Sequence, residues 1–285
     1  MAQTPERETT HEVRAILGHG ASAALGTLLG VPIPDEVLPP LWQMVHLLEM
    51  APQELLGPDG HPCVGIPTPP GPGRRRMFAG GRVRTLVPMR YGVETTRSIR
   101  VVGRKTKQGR SGLLEFVTVG HELRQDGRTA VAEEHDIVYR DAVLPSGADS
   151  TPQPAPAPPV GGESVTTSAG PCWTRHLDET FLFRFSALTY NAHRIHYDLA
   201  WAEREGYSGL VVHGPLQVLA MAELLRAAGV DLVGREFAYR LVRPMVGLQE
   251  LTAALGPGPG EVVVRDAEGT VTARGSWRDL EHPVR

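Results

Sequence analysis

HGPLQVLAMAELLRAAG, at residues 213–229, gives the clearest indication of the fold. Residues 216–228 are mostly strong helix formers, Pro215 suits the first helical position, and Gly229 suits the position just past the end. The sequence therefore predicts one long helix here. Four β-rich stretches follow it, at residues 237–242, 248–254, 261–265 and 270–276, and GPGPG and Glu-Gly turns separate them. The second half is predicted to be a helix backed by an antiparallel sheet.

The first half has a related order. Residues 34–48, PDEVLPPLWQMVHLL, place apolar residues at helical intervals and predict a helix. Four β-rich stretches come after it, at residues 82–88, 95–104, 113–123 and 129–139. Residues 179–188, ETFLFRFSAL, alternate apolar and polar side chains and predict one more strand. The predicted fold class is α+β, with one helix and one antiparallel sheet in each half.

A proline-rich segment separates the halves. Residues 144–169 carry six prolines and almost no large apolar residue, which is typical of an extended linker. We therefore predict an N-terminal domain at residues 1–143, a linker at 144–177 and a C-terminal domain at 178–285.

Net charge, apolar runs and cysteine spacing indicate which binding partners and which cellular compartment to expect. The net charge of −3 gives no broad electrostatic reason to expect nucleic acid or an anionic membrane. The start of the chain does not resemble a secretory signal, and no apolar run approaches the roughly 20 residues that span a bilayer. Cys63 and Cys172 form neither a CxxC pair nor a disulfide framework. We expect a cytoplasmic protein without a nucleic-acid or membrane partner.

Histidines concentrate just before the long helix. Residues 190–214, YNAHRIHYDLAWAEREGYSGLVVHG, contain three of them. His193 and His196 are three residues apart and Asp198 follows, so one loop can bring these side chains around a small substrate. A single histidine in a loop is more often a surface residue. The cluster nevertheless indicates proton transfer, because histidine exchanges a proton near neutral pH.

The pair His213-Gly214 directly precedes the helix. A helix N-terminus offers free backbone N–H groups and a partial positive charge, and glycine lets a carbonyl oxygen approach them closely. These two residues are the outline of an oxyanion site. The alternative is that Gly214 only permits the turn into the helix, and the two interpretations are compatible.

The run FSALTYNAHRIHYDLAWA at residues 185–202, followed by GYSGLVVHGPL at 206–216, resembles the MaoC-type hydratase motif of the hot-dog superfamily. The resemblance implies that Asn191 takes the place of the family's catalytic Asp, and that His196 is the catalytic His. It places His193 at the family's Asn, and Gly214 at the residue whose N–H binds the thioester oxygen. The amide of Asn191 can orient water but cannot accept its proton at neutral pH.

The form with Asn resembles one branch of that superfamily. This branch includes mesaconyl-C4-CoA (3-methylfumaryl-CoA) hydratases and mitochondrial-type 3-hydroxyacyl-thioester dehydratases. Residues 57–82, 107–118 and 133–140 are similar to the branch's degenerate first unit. The resemblance implies a double hot dog, two curved antiparallel sheets that each wrap a helix, with one working site. A homodimer of such chains is an open alternative.

The resemblance implies a hydratase or dehydratase of acyl thioesters. His196 is expected to act as the general base on a water that Asn191 holds, and the Gly214 N–H to receive the charge of the thioester oxygen. His193 and His213 are possible supporting groups, and Asp198 is expected to orient a histidine. We expect no cofactor other than the CoA of the substrate, and no metal.

Arginines are the candidate anion-binding residues. Arg74, Arg75 and Arg76 suit the CoA phosphates or a substrate carboxylate, unless they form a solvated surface run. Arg194 is a candidate for a substrate carboxylate, and a salt bridge within its loop is equally compatible with the sequence. The arginines favour a dicarboxylic thioester over a plain fatty chain.

Three other functions stay open. The first is a 3-hydroxyacyl-ACP or -CoA dehydratase of fatty-acid synthesis, which accepts long uncharged chains from CoA or an acyl carrier. The second is a non-catalytic thioester-binding module, because Asn191 is a change that could abolish activity. The third, a zinc hydrolase using His193, His196 and His213, fits no known zinc spacing.

Overall fold

The computed structural model describes residues 10–67, 69, 74–109, 112–141 and 170–281, and ten of its strands form one antiparallel sheet. The strands are β1 (His11–Ile16), β2 (Val37–Leu38), β3 (Arg74–Thr85), β4 (Met89–Arg90), β5 (Glu94–Gly109), β6 (Gly112–Gln125), β7 (Arg128–Asp141), β8 (Cys172–Leu177), β9 (Arg235–Leu241), β10 (Gln249–Leu255), β11 (Glu261–Arg265) and β12 (Val271–Asp279). The helices are α1 (His19–Leu29), α2 (Glu179–Thr189), α3 (Leu199–Arg204) and α4 (Gly214–Ala227). Short 3₁₀ turns lie at Trp42–Val45, Gln53–Leu55 and Arg194–His196.

The sheet consists of two units with the same strand order. From one edge to the other the strands run β1-β5-β6-β7-β3-β9-β12-β11-β10-β8, while β2 and β4 pair separately. In each half the first strand, β1 or β8, lies at the outer edge of this sheet, and the next strand of the sheet, β3 or β9, lies at its centre. The units join where β3 pairs with β9, with Val83 opposite Phe237. The two halves therefore share one continuous hydrogen-bonded sheet.

Helix α4 is the core of the C-terminal unit, as predicted. Ten consecutive residues from Leu216 to Leu225 are buried, which is typical of a helix enclosed on all sides. It packs against β8, β10, β11 and β12. Its buried carboxylate, Glu223, accepts a 2.7 Å hydrogen bond from Trp42 Nε1 of the N-terminal unit and a 3.0 Å bond from Arg226 Nε. The N-terminal unit thus helps to cover this helix.

The helix predicted over residues 34–48 is wrong. This segment forms β2 and then the 3₁₀ turn Trp42–Val45, because Leu41 and Leu47 adopt left-handed conformations with φ of 74° and 48°. Most of its apolar side chains are buried all the same, with Trp42 fully enclosed, although Val37 is exposed. The helical spacing of the apolar residues indicated that they are buried, but an irregular segment that crosses the core buries them equally well.

The strand predicted over residues 179–188 is also wrong. These residues form α2, whose first turn is capped by the Asp178 carboxylate, 2.7 Å from the Phe181 N–H. Leu182, Phe185 and Ser186 form its buried face, whereas Phe183 is 63% exposed. The Asp178 cap stabilises the start of the helix, and the buried residues, three and four positions apart, lie on one helix face. Both effects favour a helix over the strand that the alternation of apolar and polar residues indicated.

Helix α1 is an element that the pattern did not predict. It packs against α2, and both helices end in a left-handed residue, Gly30 with φ 64° and Tyr190 with φ 52°. The order strand, helix, left-handed end therefore occurs at the start of both units. None of the helices in the described part of the chain is long and apolar enough to cross a bilayer.

The predicted end of the linker at residue 177 is wrong, because β8 already pairs with β10 of the C-terminal unit. That unit begins by Cys172 at the latest. The proline-rich stretch itself, residues 144–169, lies outside the described residues.

Candidate active site

A cavity of about 610 Å³ lies between the two units. The N-terminal unit contributes side chains from β3 and β7 that no long helix covers in the described structure. The C-terminal unit contributes the loop after α2 and the start of α4. Among the residues that line the cavity are Phe78, Glu133, Ile137, Asn191, His196 and Gly214.

His196 reaches the cavity as a neutral base. It ends the 3₁₀ turn Arg194–His196, and its Nδ1 donates a 2.7 Å hydrogen bond to the Val211 carbonyl. Since a carbonyl only accepts, Nδ1 carries the hydrogen and Nε2 keeps its lone pair. Burial lowers the pKa of His196 to about 3, against a weaker opposing effect of the Val211 carbonyl. The imidazole is therefore unprotonated at neutral pH.

His213 supports His196 from behind. The two rings stack with centroids 3.7 Å apart, and His213 Nε2 lies 2.8 Å from the Ser186 hydroxyl. His213 is fully buried, and burial lowers its pKa well below the ordinary value. His213 directly precedes α4, and its stacking fixes the plane of the His196 ring.

Gly214 is the first residue of α4, and its N–H has no partner within the helix. A Cβ at this position would overlap Leu241 Cδ1 and come within 3.2 Å of Phe78 Cδ1. Only glycine fits here without a rearrangement. The helix N-terminus consequently opens onto the cavity as predicted for an oxyanion site.

Asn191 and His193 lie in the loop that follows α2. The Asn191 backbone N–H bonds the Ser186 carbonyl at 2.9 Å, and its Oδ1 accepts from the His193 N–H at 3.0 Å. This turn leaves the side-chain NH₂ of Asn191 as the group able to hold a water or substrate oxygen. The buried His193 places Nε2 3.8 Å from Glu205 Oε1.

Asp198 and Arg194 build the loop and lie apart from the cavity lining. Asp198 caps α3 by accepting from the Trp201 N–H at 3.0 Å, and it accepts from Arg194 Nε at 2.9 Å. The guanidinium of Arg194 also donates to the Pro58 carbonyl and lies over the Trp201 ring. Asp198 thus pairs with Arg194 and not with a histidine, and Arg194 forms the salt bridge within its loop that the sequence left open as the alternative to substrate binding.

Two of the three predicted arginines line the cavity. Arg75 donates to the Glu205 carbonyl oxygen at 2.6 Å, and Arg76 shares a hydrogen bond with Tyr139. The side chain of Arg74 lies outside the described part of the structure. Arg140, which sequence reasoning missed, lies opposite Arg75 in the β3–β7 register and also lines the cavity. Only the strand register could have paired these two arginines.

Sequence reasoning also missed His61, in the loop that follows the second 3₁₀ turn. Its Nδ1 lies 3.0 Å from Asp59 Oδ2, and its ring centroid lies 4.0 Å from that of His193. The ligand atoms of Asp59, His61 and His193 all lie within 4.8 Å of one another, so among the described residues this group could hold a metal ion. The predicted trio with His196 and His213 does not converge, because those two rings lie flat against each other.

Comparison with known proteins agrees with this geometry. A family model described as hydroxyacyl-thioester dehydratase type 2 matches residues 42–247. The chain is 42% identical over 251 residues to the mesaconyl-C(4)-CoA hydratase of Chloroflexus aurantiacus, a match that covers 87% of this chain and 85% of that protein. A shorter match, 39% identical over 66 residues, covers 22% of this chain and 22% of the mitochondrial hydroxyacyl-thioester dehydratase type 2 of Schizosaccharomyces pombe.

Solved structures show the same fold. HtdX of Mycobacterium tuberculosis superposes with a TM-score of 0.64 at 14% identity, covering 96% of this chain and 100% of that one. A MaoC-like dehydratase from Phytophthora capsici gives a TM-score of 0.63 at 12% identity, covering 99% and 98% of the two chains. The predicted α+β double hot-dog fold is thereby confirmed.

Proposed function

Because this chain belongs to the hydroxyacyl-thioester dehydratase type 2 family, it is a hydro-lyase, and we propose that it hydrates a short dicarboxylic enoyl-CoA such as mesaconyl-C4-CoA. The substrate class is supported by the 42% identity to a mesaconyl-C(4)-CoA hydratase along most of both chains. In this proposal CoA enters only as part of the substrate.

One observation carries the mechanism: the free Nε2 of His196 faces the same cavity as the Asn191 amide and the start of α4. Asn191 holds a water, His196 takes its proton, and the water oxygen attacks the β-carbon. The charge that develops on the thioester oxygen is received by the Gly214 N–H and the helix dipole, a contribution typically worth about 3 kcal/mol per donor. The protonated His196 then gives this proton to the α-carbon, which restores the thioester carbonyl and the neutral imidazole, and dehydration uses the same groups in reverse.

The charge of the cavity favours a dicarboxylic substrate. Within the described lining there are five arginines and three glutamates, and one arginine, Arg75, is close to Glu205. A substrate carboxylate would compensate the excess positive charge, whereas a long alkyl chain would leave arginines without water or a counter-ion. The charge of the cavity thus fits a dicarboxylic thioester better than the long uncharged chain of a fatty-acid dehydratase substrate.

The test is hydration of four thioesters, namely mesaconyl-C4-, itaconyl-, crotonyl- and a long-chain enoyl-CoA. We expect selective turnover of a dicarboxylic thioester, with kcat lowered about 10²–10⁴-fold in His196→Ala. Preference for the long chain would replace the proposed substrate class with that of fatty-acid synthesis. Absence of turnover with all four would contradict the proposal and favour a binding module.

Two further expectations stay predictions. A cytoplasmic location follows from the cysteine usage, and a homodimer is the alternative to a chain that works alone.

A further inference from the structure

A group of four polar side chains lines the cavity within the N-terminal unit. They are Gln43 of the 3₁₀ turn Trp42–Val45, Arg97 of β5, and Glu133 and His135 of β7. Gln43 and Glu133 are only 4% and 7% exposed. None of the four takes part in the proposed addition of water. We refer to these four residues as the polar wall.

Hydrogen bonds hold the polar wall together. Gln43 Nε2 donates to Glu133 Oε1, and His135 Nε2 lies 3.2 Å from Glu133 Oε2. The Arg97 guanidinium donates to the Leu47 carbonyl at 3.2 Å. These bonds join β5 and β7 to the irregular segment that crosses the sheet. The polar wall therefore cannot move aside for a ligand without breaking several of them.

The polar wall carries charges of both signs. Burial acts to raise the pKa of Glu133, but the His135 hydrogen bond and the charges of His135 and Arg97 hold it below the ordinary value, so the carboxylate is ionised. The guanidinium of Arg97 is always charged, and its buried Nε has no hydrogen-bond partner among the described residues. An alkyl chain laid against these groups would exclude water from them without forming any hydrogen bond in return, which costs free energy.

The polar wall lies beyond the reacting end of a bound substrate. A Cβ on Gly214 would lie 3.2 Å from Phe78 Cδ1, and Phe78 pairs with Ile137 across β3 and β7. Along β7, His135 and Glu133 are two and four residues from Ile137, which is roughly 7 and 13 Å. An acyl group held at Gly214 and extended along β7 ends before His135 if it has four carbons, which span roughly 4 Å, whereas twelve carbons span roughly 14 Å and reach Glu133.

Apolar side chains lie next to the polar wall. Val83 is opposite Glu133 in the β3–β7 register, and Leu123 is opposite Arg97 in the β5–β6 register. Both apolar residues line the cavity. The apolar surface that a long alkyl chain needs is therefore present, and the charged groups interrupt it.

We propose that the polar wall sets the length of the acyl group, so that the cavity accepts thioesters of about four or five carbons and rejects long alkyl chains. This inference rests on the proposed function for the position of the thioester at Gly214. It deepens that function by naming the residues that select against a fatty-acyl substrate, and it assigns them no part in the chemistry.

The test measures binding, so that its result does not depend on turnover. The full chain is titrated in a calorimeter with butyryl-CoA and with dodecanoyl-CoA below its micelle concentration, and the readout is the ratio of the two Kd values. We expect the wild type to bind dodecanoyl-CoA no more than about threefold tighter than butyryl-CoA, because the alkyl tail stays outside the cavity.

A double variant, Arg97→Met with Glu133→Gln, removes both charges and leaves an acceptor for Gln43. It should bind dodecanoyl-CoA about tenfold or more tighter than butyryl-CoA, because the tail can then be buried. The matched control is Arg104→Met with Glu115→Gln, an ion pair of 2.9 Å between β5 and β6 that lies outside the cavity lining. The control should keep the wild-type ratio.

The outcomes separate the polar wall from the proposed function. A wild type that already binds dodecanoyl-CoA tenfold tighter would overturn the inference, as would a double variant that keeps the wild-type ratio or a control that changes equally. If circular dichroism shows that the double variant does not fold, Gln43→Leu replaces it and should change the ratio about threefold, since it removes the amide and keeps both charges. An unchanged ratio there would also contradict the inference. Absence of hydration together with the expected binding ratios would contradict the proposed function alone.

Discussion

The two units of the sheet have the same strand order and differ in what crosses their faces. The C-terminal unit wraps α4, a helix buried all round. In the N-terminal unit the corresponding position, as far as the structure describes it, holds β2 and the 3₁₀ turn Trp42–Val45. A long helix covers the face of its sheet, whereas an irregular segment leaves part of that face open to a cavity. The cavity therefore lies against the unit that lacks the helix, and the helix N-terminus of the other unit opens into it.

The chemical groups are divided in the same way. The C-terminal unit supplies the groups proposed for water and the thioester oxygen, which are Asn191, His196 and Gly214. The N-terminal unit supplies Arg75 and Arg140 together with the Asp59–His61 pair. A unit that looks degenerate by its missing helix thus retains polar residues that face the shared cavity. The following substitutions test whether the two units contribute different groups to the cavity.

The largest effect is expected from the start of α4. Gly214→Ala would place a Cβ against Leu241 and Phe78 and displace the N–H from the thioester oxygen, which lowers kcat about 10²–10³-fold. The measurement is steady-state hydration. Gly18→Ala, at the start of α1 in the other unit, has open space around its Cβ and should keep full activity. Equal losses in the two variants would remove the distinction between the units.

A smaller effect is expected where the irregular segment meets α4. Trp42→Phe removes the N–H that donates to the buried Glu223, and should cost about 1–3 kcal/mol of unfolding free energy. Urea unfolding measures it. Trp277→Phe, in a residue packed at the edge of the same core, is the matched control. If both substitutions cost the same, the bond between the units contributes nothing beyond packing.

The smallest effect concerns pH. Burial lowers the pKa of His46, whose Nε2 lies 2.8 Å from the Ser22 hydroxyl, to about 4. The folded state keeps this ring neutral while the unfolded state binds a proton below about pH 6.5, so stability is lost as the pH falls from 6.5 toward 4. His46→Gln should reduce this loss by about 1 kcal/mol between pH 6.5 and 5.5. An unchanged pH dependence in the variant would show that His46 is equally protonated in both states.

The sequence predicted α4 and most strands of the sheet, but it did not predict β1, α1 or β8, and it assigned α2 and the segment around Trp42 to the wrong element. α4 and the strands of the sheet have local signals, namely helix formers between Pro215 and Gly229 and β-rich runs between turns. The segment around Trp42 has helical spacing, yet its apolar side chains are buried by a neighbouring unit and not by a helix face. Local pattern cannot separate these two causes of burial.

The candidate site was predictable to the same extent. Clustering of histidines indicated His196, the helix start indicated Gly214, and only the family resemblance implied a role for Asn191. His61 and Arg140 come from the other unit. Arg140 reaches the cavity through the β3–β7 register, and His61 through a loop whose Asp59 carbonyl accepts from the Arg194 N–H. Asp198 and Arg194 have the right residue types, but four residues apart in a loop they neutralise each other.

The pairing of β3 with β9 also determines what the covalent connection is for. Separated halves would each expose β3 or β9 as an edge strand with a row of unpaired N–H and C=O groups, which invites aggregation. We therefore expect the two halves to hold together through this strand pairing in addition to the covalent connection between them. A protease that cut within that connection would leave both pieces assembled, with the cavity-lining groups of each still facing the other.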